Sequence, residues 1–334
     1  MKPALRELLV SPCCRAELDL ENHQQDRKEV RSGALTCRSC GRRFPIAGGV
    51  PDLLIGRELP RTRQSFTAQW RLRFGGAFER QATLYGQDYQ ELVRWWLARC
   101  LGQGSAGDWM LDAGCGTGEK AMVAAEQNPE LEVVGLDMAD TIRLSAERGA
   151  GLPNLHFVQG DVMHPPFREN CFAKLVSWGV LHCTRDTHQA FRSVARLLRR
   201  GGRMVVWIYP DPAEDELAAK YYRIRDQHFF GCGHVLPPRL LLWSVRLYCF
   251  LLAPVLLYQY KRRIIPQFRG CGYVPIEGAR LLDLYRSVVF ILYDDLAPEF
   301  QFRHRRSEVM EWFASDGFAQ VETDRLGHYW GERA

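Results

Sequence analysis

The chain reads as an α/β protein built on a doubly wound parallel sheet, and three observations predict it. Residues 108–209 alternate short β-type runs with amphipathic helical runs. A glycine-rich loop, Asp112-Ala-Gly114-Cys-Gly116-Thr-Gly118, follows the first of those runs directly. Chain breakers, Asn128-Pro129 and Gly201-Gly202, close the helical runs. Strands joined by helices of this length lie parallel, and helices then cover both faces of the sheet. Ligands of such sheets sit at the carboxyl ends of the strands.

Four zones follow one another. Residues 1–56 are rich in Cys and Gly, too short for a large core and suited to a chain folded around a metal. Residues 57–107 form a helical lead-in with Trp70, Phe74, Phe78, Trp95 and Trp96 at helical spacing, ended by Gly102-Gln-Gly104-Ser-Ala-Gly107. The remainder, 108–334, is one domain interrupted by an insert at about 211–305. Its opening half predicts a strand at 109–113, a helix at 119–127, a strand at 132–136 and a helix at 140–148. Strands at 155–158 and 173–178 come next, then a helix at 187–199 and a strand at 203–209.

Composition narrows the class. Hydrophobic residues make up 46% and charged residues 25% of the 334, a balance that excludes wholesale disorder and a collagen-like fibre. The net charge of +5 is spread over both signs, which disfavours a nucleic-acid partner. Met1-Lys-Pro-Ala-Leu-Arg has no long apolar run behind its basic start, unlike a secretory signal. Eleven cysteines, four of them within 13–40, read as reduced thiols around a metal, so the expected compartment is the cytoplasm.

The glycine loop discriminates among cofactors. A dinucleotide fingerprint needs a third glycine where Glu119 stands, and an acid there would oppose a pyrophosphate. No Lys-Ser/Thr pair follows for a phosphate loop. The run Leu111 to Gly118 resembles the first motif of the class I S-adenosylmethionine-dependent methyltransferases. Asp137 after the second strand, Gly160-Asp161-Val162 after the third and Trp178-Gly-Val-Leu-His182 after the fourth resemble the motifs that follow it. Pro166-Phe167 through Arg200-Gly-Gly202 is similar to the ubiquinone/menaquinone branch.

The resemblance implies a seven-stranded Rossmann-like sheet whose last pair, 318–326 and 327–332, is antiparallel and follows a helix at 307–314. It implies that Asp112 and the loop Gly114, Cys115, Gly116 and Gly118 hold the methionine end of S-adenosylmethionine. Asp137, beside Met138, would take the ribose hydroxyls with two acceptor oxygens. Asp161 and Val162 would take the adenine, with Trp178 beside the pocket. The same acids would otherwise cap helices or turns. Three residues are candidates for catalysis: His182, as base, acceptor orienter or mere loop anchor; Tyr209 at the end of the fifth strand; and His304 in Arg303-His-Arg-Arg306.

Cys37-Arg-Ser-Cys40-Gly41 is a knuckle that points two thiolates at one ion. Its partner stretch is Ser11-Pro-Cys13-Cys14. Residues 11–54 resemble zinc-ribbon domains related to the small activators of tRNA and protein methyltransferases. In that pattern Cys14 is the second ligand, Ser11 stands at the first, and Cys13 or His23 is left to complete a zinc site. A metal-free ribbon packed through Phe44, Ile46 and Val50 is the alternative.

Leu240 to Tyr258 is a 19-residue apolar stretch broken by Arg246 and Pro254 and followed by Lys261-Arg-Arg263. Arg246 near its middle would cost about 2.5–3.5 kcal/mol in a bilayer centre. The stretch therefore suits an interfacial or lid helix, or a buried one, over a true span. The expectation is a methyltransferase acting on a small-molecule or lipid-linked hydrophobic acceptor, touching the inner membrane face through 240–263. RNA or protein methylation with docking through the ribbon, and a non-catalytic cofactor-fold protein, are the alternatives.

Overall fold

The computed structural model describes residues 1–334 other than 27–28, 56–59, 76–82, 85–86, 89–90, 92, 95–96, 99–105, 213–218, 221, 224–235, 263, 265–272, 275–279 and 325–326. The lead-in aromatics Phe78, Trp95 and Trp96 lie outside the described residues. Numbered along the chain, the helices are α1 (Pro3–Leu8), α2 (Pro60–Phe74), α3 (Glu119–Gln127), α4 (Ile142–Arg148), α5 (Thr187–Ala195), α6 (Pro238–Leu251), α7 (Ala253–Arg262), α8 (Leu281–Leu296) and α9 (Arg306–Ser315). The strands that matter below are β1 (Leu18–Asp26), β2 (Glu29–Cys37), β3 (Arg43–Ala47), β4 (Val50–Pro51), β5 (Trp109–Ala113), β6 (Glu132–Asp137), β7 (Leu155–Gln159), β8 (Phe172–Trp178), β9 (Leu198–Trp207), β10 (Phe318–Thr323) and β11 (His328–Arg333). Two compact units result: Met1–Glu58 with Trp96–Pro210 and Phe300–Ala334, and Leu59–Trp95 with Asp211–Glu299.

The first unit holds the predicted doubly wound sheet, seven strands in the order β10-β11-β9-β8-β5-β6-β7. β5 to β9 run parallel, and β10 and β11 are antiparallel, as expected. Every residue of β7 is buried, and only one end residue of β5 and of β8 is not. Such continuous apolar runs are what a sheet covered on both faces requires. The strand order reverses between β5 and β8, which opens a crevice at their carboxyl ends. α5 starts where the Asp186 carboxylate accepts the Gln189 N–H at 2.9 Å.

Two boundaries differ from the sequence reading. α5 ends at Ala195 instead of reaching 199, and β9 begins at Leu198, running through the glycines expected to stop the helix. Leu197 and Leu198 are fully buried, and their burial draws the chain into the sheet early. Gly201, at φ +71°, absorbs the irregular pairing between Phe172 and Lys174 that results. The residues 325–326 between the last two strands lie outside the described ones.

The N-terminal segment is an antiparallel meander, β1-β2-β3-β4, whose end lies against β7, the edge of the large sheet. The Leu53 N–H donates to the Gln159 carbonyl at 2.7 Å, Val10 N–H to Pro166 at 3.0 Å, and Arg168 N–H to Leu8 at 2.8 Å. Lys2 Nζ donates to the carbonyls of Leu152, Pro153 and Leu155 at 2.7–2.9 Å. Leu5, Leu35, Phe44 and Ile46 share one buried cluster with Leu136, Val158 and Phe167.

The second unit is helical, with a small sheet of Thr83–Leu84, Gln87–Asp88 and Tyr273–Val274. α8 forms its core through Leu284, Val288, Val289, Ile291 and Tyr293, with Leu241, Val245 and Cys249 of α6 and Leu256 and Tyr260 of α7 in the same cluster. The apolar stretch expected as one kinked helix is two, α6 and α7, bent by 87°. Pro254 stands second in α7, where its missing N–H costs nothing, so the break falls ahead of it at Leu252. Among the described residues no single helix is long and apolar enough to cross a membrane.

Phe313 of α9 is fully buried against Phe191, Phe318 and Tyr329. Phe313→Ala is expected to destabilise the first unit by about 3–5 kcal/mol, read as a lowered urea midpoint at unchanged slope.

Candidate functional site

β5 delivers Asp112 to the crevice and then turns through three left-handed glycines, Gly114 (φ +81°), Gly116 (φ +56°) and Gly118 (φ +77°). A Cβ on Gly114 would lie 2.3 Å from Val180 Cγ2, so the loop after β8 closes directly on it. The loop is also tied to the end of β6. Gly114 and Cys115 N–H both donate to the Leu136 carbonyl, at 2.7 and 2.9 Å. Gly116 N–H donates to Asp137 Oδ2 at 2.9 Å, and Ala139 N–H to Oδ1 at 2.8 Å. Ser145 Oγ, on α4, donates to the Gly116 carbonyl at 3.1 Å. Sequence reading missed Ser145; its distance from the loop along the chain left no signal.

The two acids differ in their compensation. Burial raises the Asp137 carboxyl above its usual range, and the N–H groups of Ala139 and Gly116 pull it back. Burial pushes Asp112 up to about 6, Lys120 opposing it and Asp137 adding to it. Both Asp112 oxygens are buried without a hydrogen-bond partner among the described residues. A buried carboxylate left this way is ready for a cation that brings its own N–H donors.

Asp161 follows β7, its Oδ1 accepting the Met163 N–H at 2.8 Å, with Val162 buried beside it. Met138 and Trp178 are half-buried at the ends of β6 and β8. The Trp178 ring meets Trp207 and His328 edge-on, and Lys120 Nζ stands 5.8 Å from its centroid. Cys115 is buried in the glycine loop, and its thiol is pushed far up by burial, which makes it inert.

His182 is fully buried in a 3₁₀ turn after β8. Its Nδ1 accepts the Tyr209 N–H at 3.2 Å, and the rings of the two residues stack at 3.7 Å. Burial, then Arg303 and His304, hold it far below the usual histidine range, so the ring is neutral. With Nδ1 accepting, the proton sits on Nε2, which is buried without a partner. In this state His182 offers a hydrogen-bond donor, not a base. Tyr209 lies under the Arg303 guanidinium, 5.4 Å from the ring centroid, and its carbonyl accepts the His304 N–H at 3.0 Å. Both ring nitrogens of His304 are engaged, Nδ1 with Glu308 at 3.0 Å and Nε2 with Thr187 at 2.9 Å, so this ring fastens α9 to the start of α5. Arg303 was the residue sequence reading passed over, because it stands in a basic run that looks solvated.

The sulfurs of Cys13, Cys14, Cys37 and Cys40 lie within 4.8 Å of one another. Sulfurs at ~2.3 Å from a tetrahedral zinc stand about 3.8 Å apart, so the set can hold one structural ion. The Ser11 hydroxyl accepts from Cys37 Sγ at 3.2 Å, and Cys13 contributes the fourth sulfur of the cluster. The side chain of His23, the other candidate, lies outside the described residues. Burial opposes ionisation of Cys37, but Ser11 and the N–H groups of Cys40 and Ser39 bring its thiol down to about 6.

Residues 105–229 match a family model described as a methyltransferase domain, and residues 2–49 match one described as Trm112p-like protein. A demethylmenaquinone methyltransferase of Deinococcus radiodurans is 28% identical over 168 residues, 49% of this chain and 67% of the relative. That of Thermus thermophilus is 32% identical over 115 residues, 34% of this chain and 52% of the relative. A solved structure of Haemonchus contortus phosphoethanolamine N-methyltransferase 2 in complex with S-adenosyl-L-methionine aligns at 17% identity and a TM-score of 0.46, over 84% of this chain and 47% of that one. The chain carries an S-adenosylmethionine-dependent methyltransferase domain. A Trm112-like module with a zinc-competent cysteine set precedes it.

Two predictions follow from the geometry. Asp112 has an ordinary pKa of 3.8 unfolded and about 6 folded. Its burden on the ligand-free protein is therefore absent below about pH 4 and complete above about pH 6. Asp112→Asn is expected to stabilise the ligand-free protein at pH 7 by about 1–3 kcal/mol, with the gain vanishing near pH 4 in urea titrations. Purified protein should contain about one zinc per chain by elemental analysis, and Cys37→Ser less than about half of that.

Proposed function

We propose that this protein moves a methyl group from S-adenosylmethionine to a small hydrophobic ring acceptor of the quinol type, in the cytoplasm at the inner membrane face. The observation that carries the reading is the pair of unpartnered, buried Asp112 oxygens beneath a left-handed glycine loop. An α-ammonium group fits that need. When bound, the cofactor supplies an electrophilic methyl carbon on a sulfonium, open to direct displacement.

The chain's own residues then have separable tasks. Asp137 spends one lone pair of each oxygen on Gly116 and Ala139 and keeps the others for ribose hydroxyls. Asp161 and Val162 bind the adenine edge, and Met138 and Trp178 line the pocket. His182, neutral and protonated on Nε2, orients an acceptor oxygen by donating to it. Tyr209 fixes the His182 ring, and His304 holds the wall behind it. The quinol assignment draws on the demethylmenaquinone methyltransferases among the relatives and on the apolar surface of the second unit. Docking of an RNA or protein acceptor through the Trm112-like module is the competing reading.

Asp112→Asn and Asp137→Ala are each expected to weaken S-adenosylmethionine binding at least about 10-fold by calorimetry. Wild-type affinity should fall as pH drops below about 6, where Asp112 takes up its proton. His182→Ala should lower turnover while leaving cofactor affinity intact. With methyl-labelled cofactor and a cell lysate, label should enter the organic phase. Label in the precipitated macromolecules would instead support the competing reading.

A further inference from the structure

The second unit carries an apolar surface that its own folding does not consume. Leu241, Val245 and Cys249 of α6 face inward and share the core cluster with α8. The opposite face should be polar on a solvated helix. Here it presents Leu240, Trp243, Leu247, Phe250 and Leu251, each 51–70% exposed. Beyond the bend, Val255 and Tyr258 of α7 continue it at 54% and 58%.

Charge distinguishes the occupant. From Gln227 to Ile276 the sequence has no Asp or Glu, yet it contains Arg239, Arg246, Lys261, Arg262, Arg263 and Arg269. These six exceed the chain's net charge of +5, so everything else together carries −1. Arg246 lies over the Trp243 ring at 5.9 Å and Arg262 over Tyr258 at 5.9 Å. Cations paired with aromatics beside an apolar face are the composition of a bilayer interface. A second copy would bring like charge against like charge.

We propose that α6 and α7 dock the protein on an anionic lipid bilayer, with Trp243, Leu247, Phe250 and Leu251 entering the headgroup–acyl boundary and Arg239, Arg246, Lys261 and Arg262 holding lipid phosphates. The proposal rests on the reading of a hydrophobic acceptor and names the surface from which that acceptor is taken. Fourteen and ten residues give helices about 21 and 15 Å long, short of the roughly 30 Å hydrocarbon core. Both stay attached to α8 by their inner faces, so the bent pair lies on the membrane and does not cross it.

The test is flotation of the full chain with vesicles of equimolar phosphatidylglycerol and phosphatidylcholine, against phosphatidylcholine alone. Binding is expected to the former, weakening as salt is raised. The triple variant Trp243→Ser, Phe250→Ser, Leu251→Ser should bind at least about 100-fold more weakly, with unchanged circular dichroism and cofactor affinity. Brominated lipid should quench the wild type more than Trp243→Phe. Failure of the wild type to float, undiminished binding by the triple variant, or a wild-type dimer that the triple variant dissolves would overturn the proposal. Cofactor affinity and label partition read the acceptor assignment separately, so either conclusion can fail without the other.

Discussion

A carboxylate taken out of water at the end of a parallel strand has to find donors close by, and Asp137 finds them in Gly116 and Ala139. The first of these bonds joins β6 to the loop after β5, and the second tightens the turn that leaves β6. Gly114 and Cys115 then bond to Leu136, Ser145 closes on the Gly116 carbonyl, and Val180 packs where a Gly114 side chain would stand. Both Asp112 oxygens lack a well-formed hydrogen bond, the Ala121 N–H only easing the effect of burial, and the binding chemistry of the crevice starts from them.

The sheet was legible because glycines, prolines and acids punctuate it at strand ends, where sequence patterns are sharpest. Four of the five parallel strands stand close to where the alternation placed them, the fifth starts early at Leu198, and the antiparallel pair is where the family resemblance implied it. The junction at 195–202 was misjudged because Leu197 and Leu198 suit a helix's buried face as well as a strand's, and only pairing with β8 decides between them. The bend in the apolar stretch was signalled by Pro254, but its size depends on how both halves pack on α8. Among site residues, the acids were readable from position, whereas the neutrality of His182 was not. That state depends first on burial and then on Arg303, more than a hundred residues away, while the Tyr209 N–H, 27 residues away, sets the tautomer. Cys13 was ambiguous for a related reason: its spacing to Cys37 and Cys40 is irregular, and only the fold brings all four sulfurs within 4.8 Å of one another.

The two units divide their chemistry. The first encloses polar groups at its strand ends and holds both the bonded Asp137 and the unpartnered Asp112 there. The second keeps a carboxylate, Asp294, half-buried and accepting from Gln69 Nε2 at 2.5 Å, while exposing apolar side chains. The second unit also carries a local concentration of basic charge that the chain's modest net charge conceals.

The N-terminal meander has a bearing on how the chain comes to be folded. Its strand pairs join residues close in sequence, and closing such short loops is fast. The parallel sheet has to wait for crossovers of some twenty residues or more before each strand meets its neighbour. During synthesis the meander is therefore available before β7 exists, and β7, once made, meets a finished surface with Gln159 and Pro166 matched to waiting partners. The strand most exposed to mispairing with another nascent chain is met first by its own leading segment, so the order of residues along the polypeptide doubles as protection against aggregation.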